Sequence, residues 1–191
     1  MGAPKENGRV RELIPRQDIE RRVTEIAAEI DRDYAESGAE SGPATAGTEP
    51  LICVGVLKGS VFFLVDLLKQ IKRPVAVDFL QTSSYGAGTS PGEVRLRKDL
   101  DLPIRGRDVL LVEDIVDTGH TLQTVLALLQ LRGARSVRLC ALLDKWEARQ
   151  VPVRIDYCGF RIANEFVVGY GLDFAERFRN LPYVGVWEPS E

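Results

Sequence analysis

Apolar runs of strand length alternate with amphipathic segments along most of the chain. The apolar runs cover residues 51–57, 75–81, 108–115, 136–143 and 155–160, with a shorter run at 165–170. Helical spacing of apolar residues occurs at 18–35, 60–71 and 121–132, and 94–100 has an extended, alternating pattern. Strands that are apolar throughout and separated by helices are typical of a parallel sheet covered on both faces. The pattern predicts a doubly wound α/β fold with a mostly parallel sheet.

Three polar segments interrupt this pattern. Residues 1–14 are expected to form a loose segment ahead of a single domain at 15–191, since 191 residues suit one core. Residues 37–49 are rich in turn formers, which favours a flexible linker. Residues 83–93 are rich in Gly and Ser, which indicates either a mobile functional loop or an ordinary connection.

Composition and charge limit the classes of ligand and partner that the chain is expected to bind. The net charge of -3 gives no general attraction to nucleic acid or anionic membranes, and no apolar run reaches membrane-spanning length. Cys53, Cys140 and Cys158 lie in apolar stretches without CxxC spacing, and the chain has one histidine. Buried thiols in a reducing cytoplasm are therefore expected, rather than a zinc site or disulfides.

The candidate chemistry is concentrated in VLLVEDIVDTGHTL, residues 109–122. A buried strand delivers Glu113 and Asp114 to its carboxyl end, and Asp117 follows two apolar residues later. In doubly wound sheets, ligands bind beyond the carboxyl ends of the strands. Taken singly, these acids also suit a helix cap or a solvated turn, but the combination favours a binding site.

The next four residues, 118–121, suit a phosphate. Gly119 permits a tight turn in which successive backbone N–H groups converge, the helix N-terminus adds partial positive charge, and Thr118 and Thr121 supply hydroxyls. Glu113 and Asp114 would repel that phosphate, but they suit sugar hydroxyls or hydrated Mg²⁺. Together the two parts match a ribose 5-phosphate.

EDIVDTGHT resembles the phosphoribosyl pyrophosphate signature of type I phosphoribosyltransferases. Over about residues 15–187 the chain resembles the hypoxanthine-guanine branch, through VLKGS at 56–60, SSYGAGTSPGEV at 83–94 and the segment 165–186. The resemblance implies the type I fold, with a small hood and a flexible active-site loop. It also implies transfer of a phosphoribosyl group to N9 of a 6-oxopurine, with Mg²⁺ as cofactor, in a homodimer or homotetramer.

The resemblance implies a role for each residue of the signature. Asp117 would be the catalytic residue, contacting N7 of the purine and accepting a proton or hydrogen bond. Glu113 and Asp114 would hold the ribose hydroxyls, directly or through Mg²⁺. Thr118 to Thr121 would bind the 5-phosphate. The His120 side chain either points outward, leaving its backbone to bind, or adds a pH-dependent contact.

It also implies the base-binding residues. Lys145 would donate to the 6-oxo group, although a lysine at this position also suits an exposed helix start. Phe166 would stack on the base, although by itself it reads as a core residue. The backbone of Val167 would read the edge of the base, and Asp173 would be a second carboxylate on the Mg²⁺ side.

Lys58, Gly59 and Arg179 would bind pyrophosphate, and the peptide bond before Lys58 is often cis in this family. Ser84 and Tyr85 would cover the site from the loop 83–93.

Other functions on related folds remain open at this point. A xanthine-preferring transferase or a uracil-binding RNA attenuator would share the fold, and the sequence does not rank hypoxanthine, guanine and xanthine. An attenuator needs a basic RNA face, for which the chain offers no cationic stripe. A phospho-receiver domain also places acids at strand ends, but it has no Thr-Gly-x-Thr phosphate turn.

Overall fold

The computed structural model describes residues 8–36, 49–84 and 94–190. The strands are β1 Gly8–Ile14, β2 Leu51–Val56, β3 Val75–Ser84, β4 Val94–Lys98, β5 Asp108–Val116, β6 Ser136–Asp144, β7 Tyr157–Arg161, β8 Val167–Val168 and β9 Val184–Pro189. The helices are α1 Arg16–Glu36, α2 Val61–Gln70 and α3 His120–Leu131. None of the helices in these ranges is long and apolar enough to cross a membrane.

Six strands form the main sheet in the order β4-β3-β2-β5-β6-β7. All neighbouring pairs are parallel except β3 and β4. Every residue of β2 is buried, since it lies at the centre of the sheet with helices on both faces. Parallel strands need such cover, which is why the apolar runs predicted them. The predicted doubly wound fold is confirmed.

Two hydrophobic cores lie on opposite faces of this sheet. On one face, α1 and α2 pack through Ile26, Phe63 and neighbouring residues against side chains such as Cys53 of β2. On the other face, α3 packs through Val125 against side chains such as Val54. Cys53 and Val54 are adjacent, so one strand supplies both cores through the alternation of its side chains. α3 ends at Leu131, and Gly133 follows its end with a left-handed φ of 81°.

A second, antiparallel sheet with the order β1-β9-β8 forms the hood. The prediction of a loose segment at 1–14 is therefore wrong for Gly8–Ile14, which pairs with β9. The sequence of β1 concealed the strand because most of its residues are exposed and Ile14 alone is buried. The apolar run 165–170, which the pattern would place in the main sheet, instead contributes the two-residue strand β8 to the hood.

The predicted linker, apart from Glu49, lies outside the described residues, as does the predicted loop beyond Ser84. Ser84 is the last residue of β3, and Tyr85 falls outside.

Candidate active site

A cleft of about 370 Å³ opens at the carboxyl ends of β2 and β5. These strands are hydrogen-bonded neighbours, so the residues that follow them face each other. Its lining comprises Val56, Leu57, Lys58, Gly59, Thr82, Glu113, Asp114, Ile115, Asp117, Thr118, Gly119, Thr121, Leu122, Asp173 and Arg179. A larger cavity of about 490 Å³, beside α1 and α2, contains none of the predicted site residues.

The predicted phosphate loop at 118–121 turns at Gly119. Gly119 has φ of 93°, which favours glycine, and it directly precedes α3. The carbonyl of Thr118 accepts hydrogen bonds from the N–H groups of Gln150 (3.0 Å) and Val151 (3.2 Å), and these bonds hold the turn against the segment that follows β6. The exposed His120 ring lies 3.1 Å from Oε1 of Gln150 and does not line the cleft. The side chain of His120 thus points away from the cleft, which is one of the two positions considered from the sequence.

The two acids at the end of β5 are held in an unfavourable electrostatic environment. Oε2 of Glu113 is buried without a hydrogen-bond partner. Burial, and then the neighbouring charge of Asp114, raises the pKa of Glu113 well above its usual value. Burial raises the pKa of Asp114 to about 6, although a hydrogen bond from the N–H of Ile115 opposes the shift. Carboxyl groups that are buried with an oxygen that lacks a hydrogen-bond partner suit hydroxyl donors or a cation.

The loop after β2 approaches these acids closely. The peptide bond between Leu57 and Lys58 is cis, as the resemblance implied. A Cβ atom placed on Gly59 would lie 1.6 Å from Oδ2 of Asp114, so only glycine fits here. Lys58 is exposed, and its Nζ lies 3.1 Å from Oε1 of Glu176.

The segment after β8 supplies the remaining charges. Arg179 donates to the carbonyl of Gly171 (2.7 Å) and pairs with Oδ1 of Asp173 at 2.7 Å. The other Asp173 oxygen accepts from the N–H of Glu176 at 2.8 Å. Glu176 also lies 3.4 Å from Arg179, so one carboxylate contacts both cations predicted to bind pyrophosphate, Arg179 and Lys58.

Three of the base-binding candidates, Lys145, Phe166 and Val167, lie outside the lining of the cleft, whereas Asp173 is part of it. Lys145 is buried (8% exposed), and its Nζ lies 3.7 Å from Oδ2 of Asp117. Burial rules out the alternative of an exposed helix-start lysine. Phe166 is 48% exposed, which rules out a core role, and its ring meets Phe174 edge-on at 5.8 Å. Val167 is buried in β8.

Sequence reasoning missed several residues of this region. Thr82 lines the cleft near the end of β3, and the rule that ligands meet strand ends would have found it. Glu176 and the supporting residues Gln150 and Val151 carry no comparable sequence signal, because their contacts arise only from the folded chain.

The acids fit magnesium as a partial ligand set. Across residues 8–36, 49–84 and 94–190, no group of three or more His, Cys, Asp or Glu side chains is arranged to hold a metal ion. Both oxygens of Asp173 have partners within the protein, whereas Glu113 has an oxygen without one. Mg²⁺ commonly uses one or two carboxylates together with water and substrate phosphates. The unpartnered oxygen of Glu113 and the carboxylate of Asp114 fit that arrangement.

A doubly wound sheet that brings a turn at a helix N-terminus, two acids and two cations to one cleft suits the binding of a phosphorylated sugar. The model of the phosphoribosyl transferase domain matches residues 10–175. The chain therefore belongs to the phosphoribosyltransferase family, as the signature indicated.

The chain is similar to purine phosphoribosyltransferases over most of its length. It is 45% identical over 174 residues to the hypoxanthine phosphoribosyltransferase of Salmonella typhimurium, covering 91% of this chain and 92% of that protein. It is 44% identical over 179 residues to the hypoxanthine-guanine phosphoribosyltransferase of Bacillus subtilis, covering 93% of each. A crystal structure of a Staphylococcus aureus hypoxanthine phosphoribosyltransferase superposes with a TM-score of 0.83 at 42% identity, covering 94% of this chain and 91% of that one.

The chain also matches longer proteins. It is 47% identical over 179 residues to the bifunctional protein TilS/HprT of Listeria innocua. The match covers 93% of this chain but 26% of the Listeria protein, so the chain spans about a quarter of that length.

Proposed function

We propose that this chain transfers the 5-phosphoribosyl group of phosphoribosyl pyrophosphate to N9 of hypoxanthine or guanine, forming IMP or GMP and pyrophosphate. The observation that carries the proposal is the convergence of a phosphate turn, Glu113 and Asp114, and Lys58 and Arg179 on one cleft. The names and identities of the relatives support the same reaction. A role in cytoplasmic purine salvage, in a homodimer or homotetramer, is part of the proposal.

In this mechanism Asp117 acts at the base. Its carboxylate is exposed at the cleft, and its Oδ2 lies 3.7 Å from Nζ of Lys145. It would hold the proton on N7 of the purine, or accept it, as N9 attacks the anomeric carbon. Glu113 and Asp114 would meanwhile hold the ribose hydroxyls and fix that carbon in line.

Lys145 and Phe166 would select the base. An ammonium is only a donor, so it favours a 6-oxo group over the 6-amino group of adenine. Burial makes that choice sharper, because an unmatched polar group costs more where water is excluded. Phe166 offers an exposed ring face for stacking, and the backbone of Val167 would read the edge of the base.

The leaving pyrophosphate would be held by Lys58, the backbone at Gly59, and Arg179. The planar guanidinium of Arg179 suits phosphate oxygens. Mg²⁺ held by Glu113 or Asp114 would neutralise charge on the leaving group.

The test is the steady-state rate of pyrophosphate release with hypoxanthine, guanine, xanthine, adenine and uracil, with Mg²⁺ and with EDTA. We expect release with the 6-oxopurines only, and loss of release in EDTA. Uracil-dependent release, or none with any base, would sink the proposal.

The Asp117→Asn variant tests the catalytic assignment. We expect kcat to fall about 100-fold or more, with little change in the affinity for phosphoribosyl pyrophosphate. Weaker donor binding with intact turnover would contradict the role assigned to Asp117.

A further inference from the structure

An ion pair between Asp144 and Arg149 lies next to Lys145, the lysine assigned to the base. β6 ends at Asp144, which is buried (7% exposed) and forms an ion pair with Arg149. Lys145 is the next residue, and its N–H donates to the carbonyl of Val116 at 3.0 Å. A shift at Asp144 would therefore move the backbone from which the Lys145 side chain extends.

Arg149 also supports the phosphate turn. Its Cδ lies 3.1 Å from the position that a Cβ on Gly119 would take, so the arginine stem packs under this glycine. The next two residues, Gln150 and Val151, donate their N–H groups to the carbonyl of Thr118. Arg149 thus begins the stretch of chain on which the phosphate turn rests.

The segment 146–153 depends on tertiary contacts for its position. Its regular structure is a single 3-10 turn, Trp146–Ala148, and Trp146 is exposed. Arg149 donates to the carbonyl of Val153 at 3.4 Å and reaches the buried Asp144 carboxylate with its other terminal nitrogen. Breaking a buried ion pair by removing one partner is costly, because the remaining charge stays buried without compensation.

We infer that Asp144 and Arg149 are positioning residues that hold the Lys145 side chain and the phosphate turn at a fixed separation. A nucleotide presents its base and its 5-phosphate at a separation set by its own bonds, so the two subsites must match it. Neither residue needs to contact the substrate. The inference rests on the proposed function, because it takes Lys145 and the turn at 118–121 as the two ends of one nucleotide site.

The experiment compares Arg149→Gln with Arg161→Gln. Arg161 is a matched control, because its Nε lies 3.7 Å from the same Asp144 carboxylate while its side chain is 76% exposed. Initial rates give kcat and the KM of hypoxanthine and of phosphoribosyl pyrophosphate, and thermal melting reports folding. We expect Arg149→Gln to raise both KM values about tenfold, because both subsites shift, and to lower kcat by less than the hundredfold in rate that a displacement of about 1 Å can cost. Arg161→Gln should stay within about twofold of the wild type, in line with an exposed pair.

A conservative variant separates positioning from general damage. Arg149→Lys keeps the charge but loses the planar guanidinium, so it should recover part of both KM values. If Arg149→Gln does not fold, Arg149→Lys and Asp144→Asn take its place in the same comparison.

Unchanged KM values in folded variants, a rise for one substrate alone, or equal effects of Arg149→Gln and Arg161→Gln overturn the inference. An inactive wild-type protein would instead overturn the proposed function.

Discussion

The close approach of Gly59 to Asp114 makes Gly59→Ala a sharp test of the cleft. An alanine Cβ at position 59 would lie 1.6 Å from Oδ2 of Asp114 and 2.6 Å from its Cγ, whereas real Cβ contacts essentially never fall below 3.0 Å. The two groups must therefore separate by about 1.4 Å or more. Because the Cγ is also too close, rotating one oxygen away is not enough, and the whole carboxylate or the loop must move.

The consequences of that displacement can be given rough magnitudes. A misplacement of about 1 Å in an active site can cost about 100-fold in rate, so we expect kcat/KM to fall at least that far. Overpacking in a tight site costs about 1–3 kcal/mol, so the free energy of unfolding should fall by a similar amount. Activity is measured by pyrophosphate release and stability by urea denaturation.

Gly106→Ala is the control for the added methyl group. Gly106 has φ of 72°, and nothing lies within 4 Å of the position of its Cβ. Backbone strain there should cost about 1–2 kcal/mol of stability, with kcat/KM unchanged.

In an Asp114→Gly background the stability cost of Gly59→Ala should shrink, because the clashing carboxylate is gone. Two results would refute this reasoning. One is a kcat/KM of Gly59→Ala within about threefold of the wild type, and the other is an equal stability cost of Gly59→Ala in the wild-type and Asp114→Gly backgrounds.

Three further predictions follow from charges in the site. Burial raises the pKa of Glu113, so the folded state keeps a proton that the unfolded chain releases, and this contribution to stability is lost as pH rises above the usual carboxylate range. Glu113→Gln should therefore be more stable than the wild type by about 1 kcal/mol near pH 8 but not near pH 4 in urea denaturation with EDTA, and an equal difference at both would contradict this. Glu176→Gln removes the carboxylate that occupies Lys58, so the inhibition constant of pyrophosphate should fall by about two- to fivefold, and a rise would count against the contact. Lys145→Ala should erode discrimination against adenine in the ratio of kcat/KM values, and an unchanged ratio would exclude its role in selecting the base.

The main sheet and one wall of the cleft could be predicted because their signals are local. The strand 108–115 is apolar because both of its faces are covered, and the acids at its end must then lie where the sheet binds ligands. Glycine readily adopts a positive φ, so the residue type at position 119 indicated a tight turn, and its left-handed φ confirms that turn. The prediction of a ribose 5-phosphate site rests on residues 109–122 alone.

The hood could not be predicted in the same way. Gly8 pairs with Pro189, so the signal for β1 lies more than 170 residues away in the chain. The two-residue strand β8 has no period to detect. The pairing of Asp173 with Arg179, and of Asp144 with Arg149, likewise depends on packing and has no local signal in the sequence.

The hood also bears on the order in which the site can assemble during synthesis. The carbonyl of Phe166 accepts a hydrogen bond from Trp187, and β9 joins β8 to β1. A ribosome-bound chain that has exposed the turn at 118–121 but not β9 would lack the support of Phe166, the residue proposed to stack on the base. Such non-local pairing closes slowly, so the nascent chain should acquire affinity for the base last.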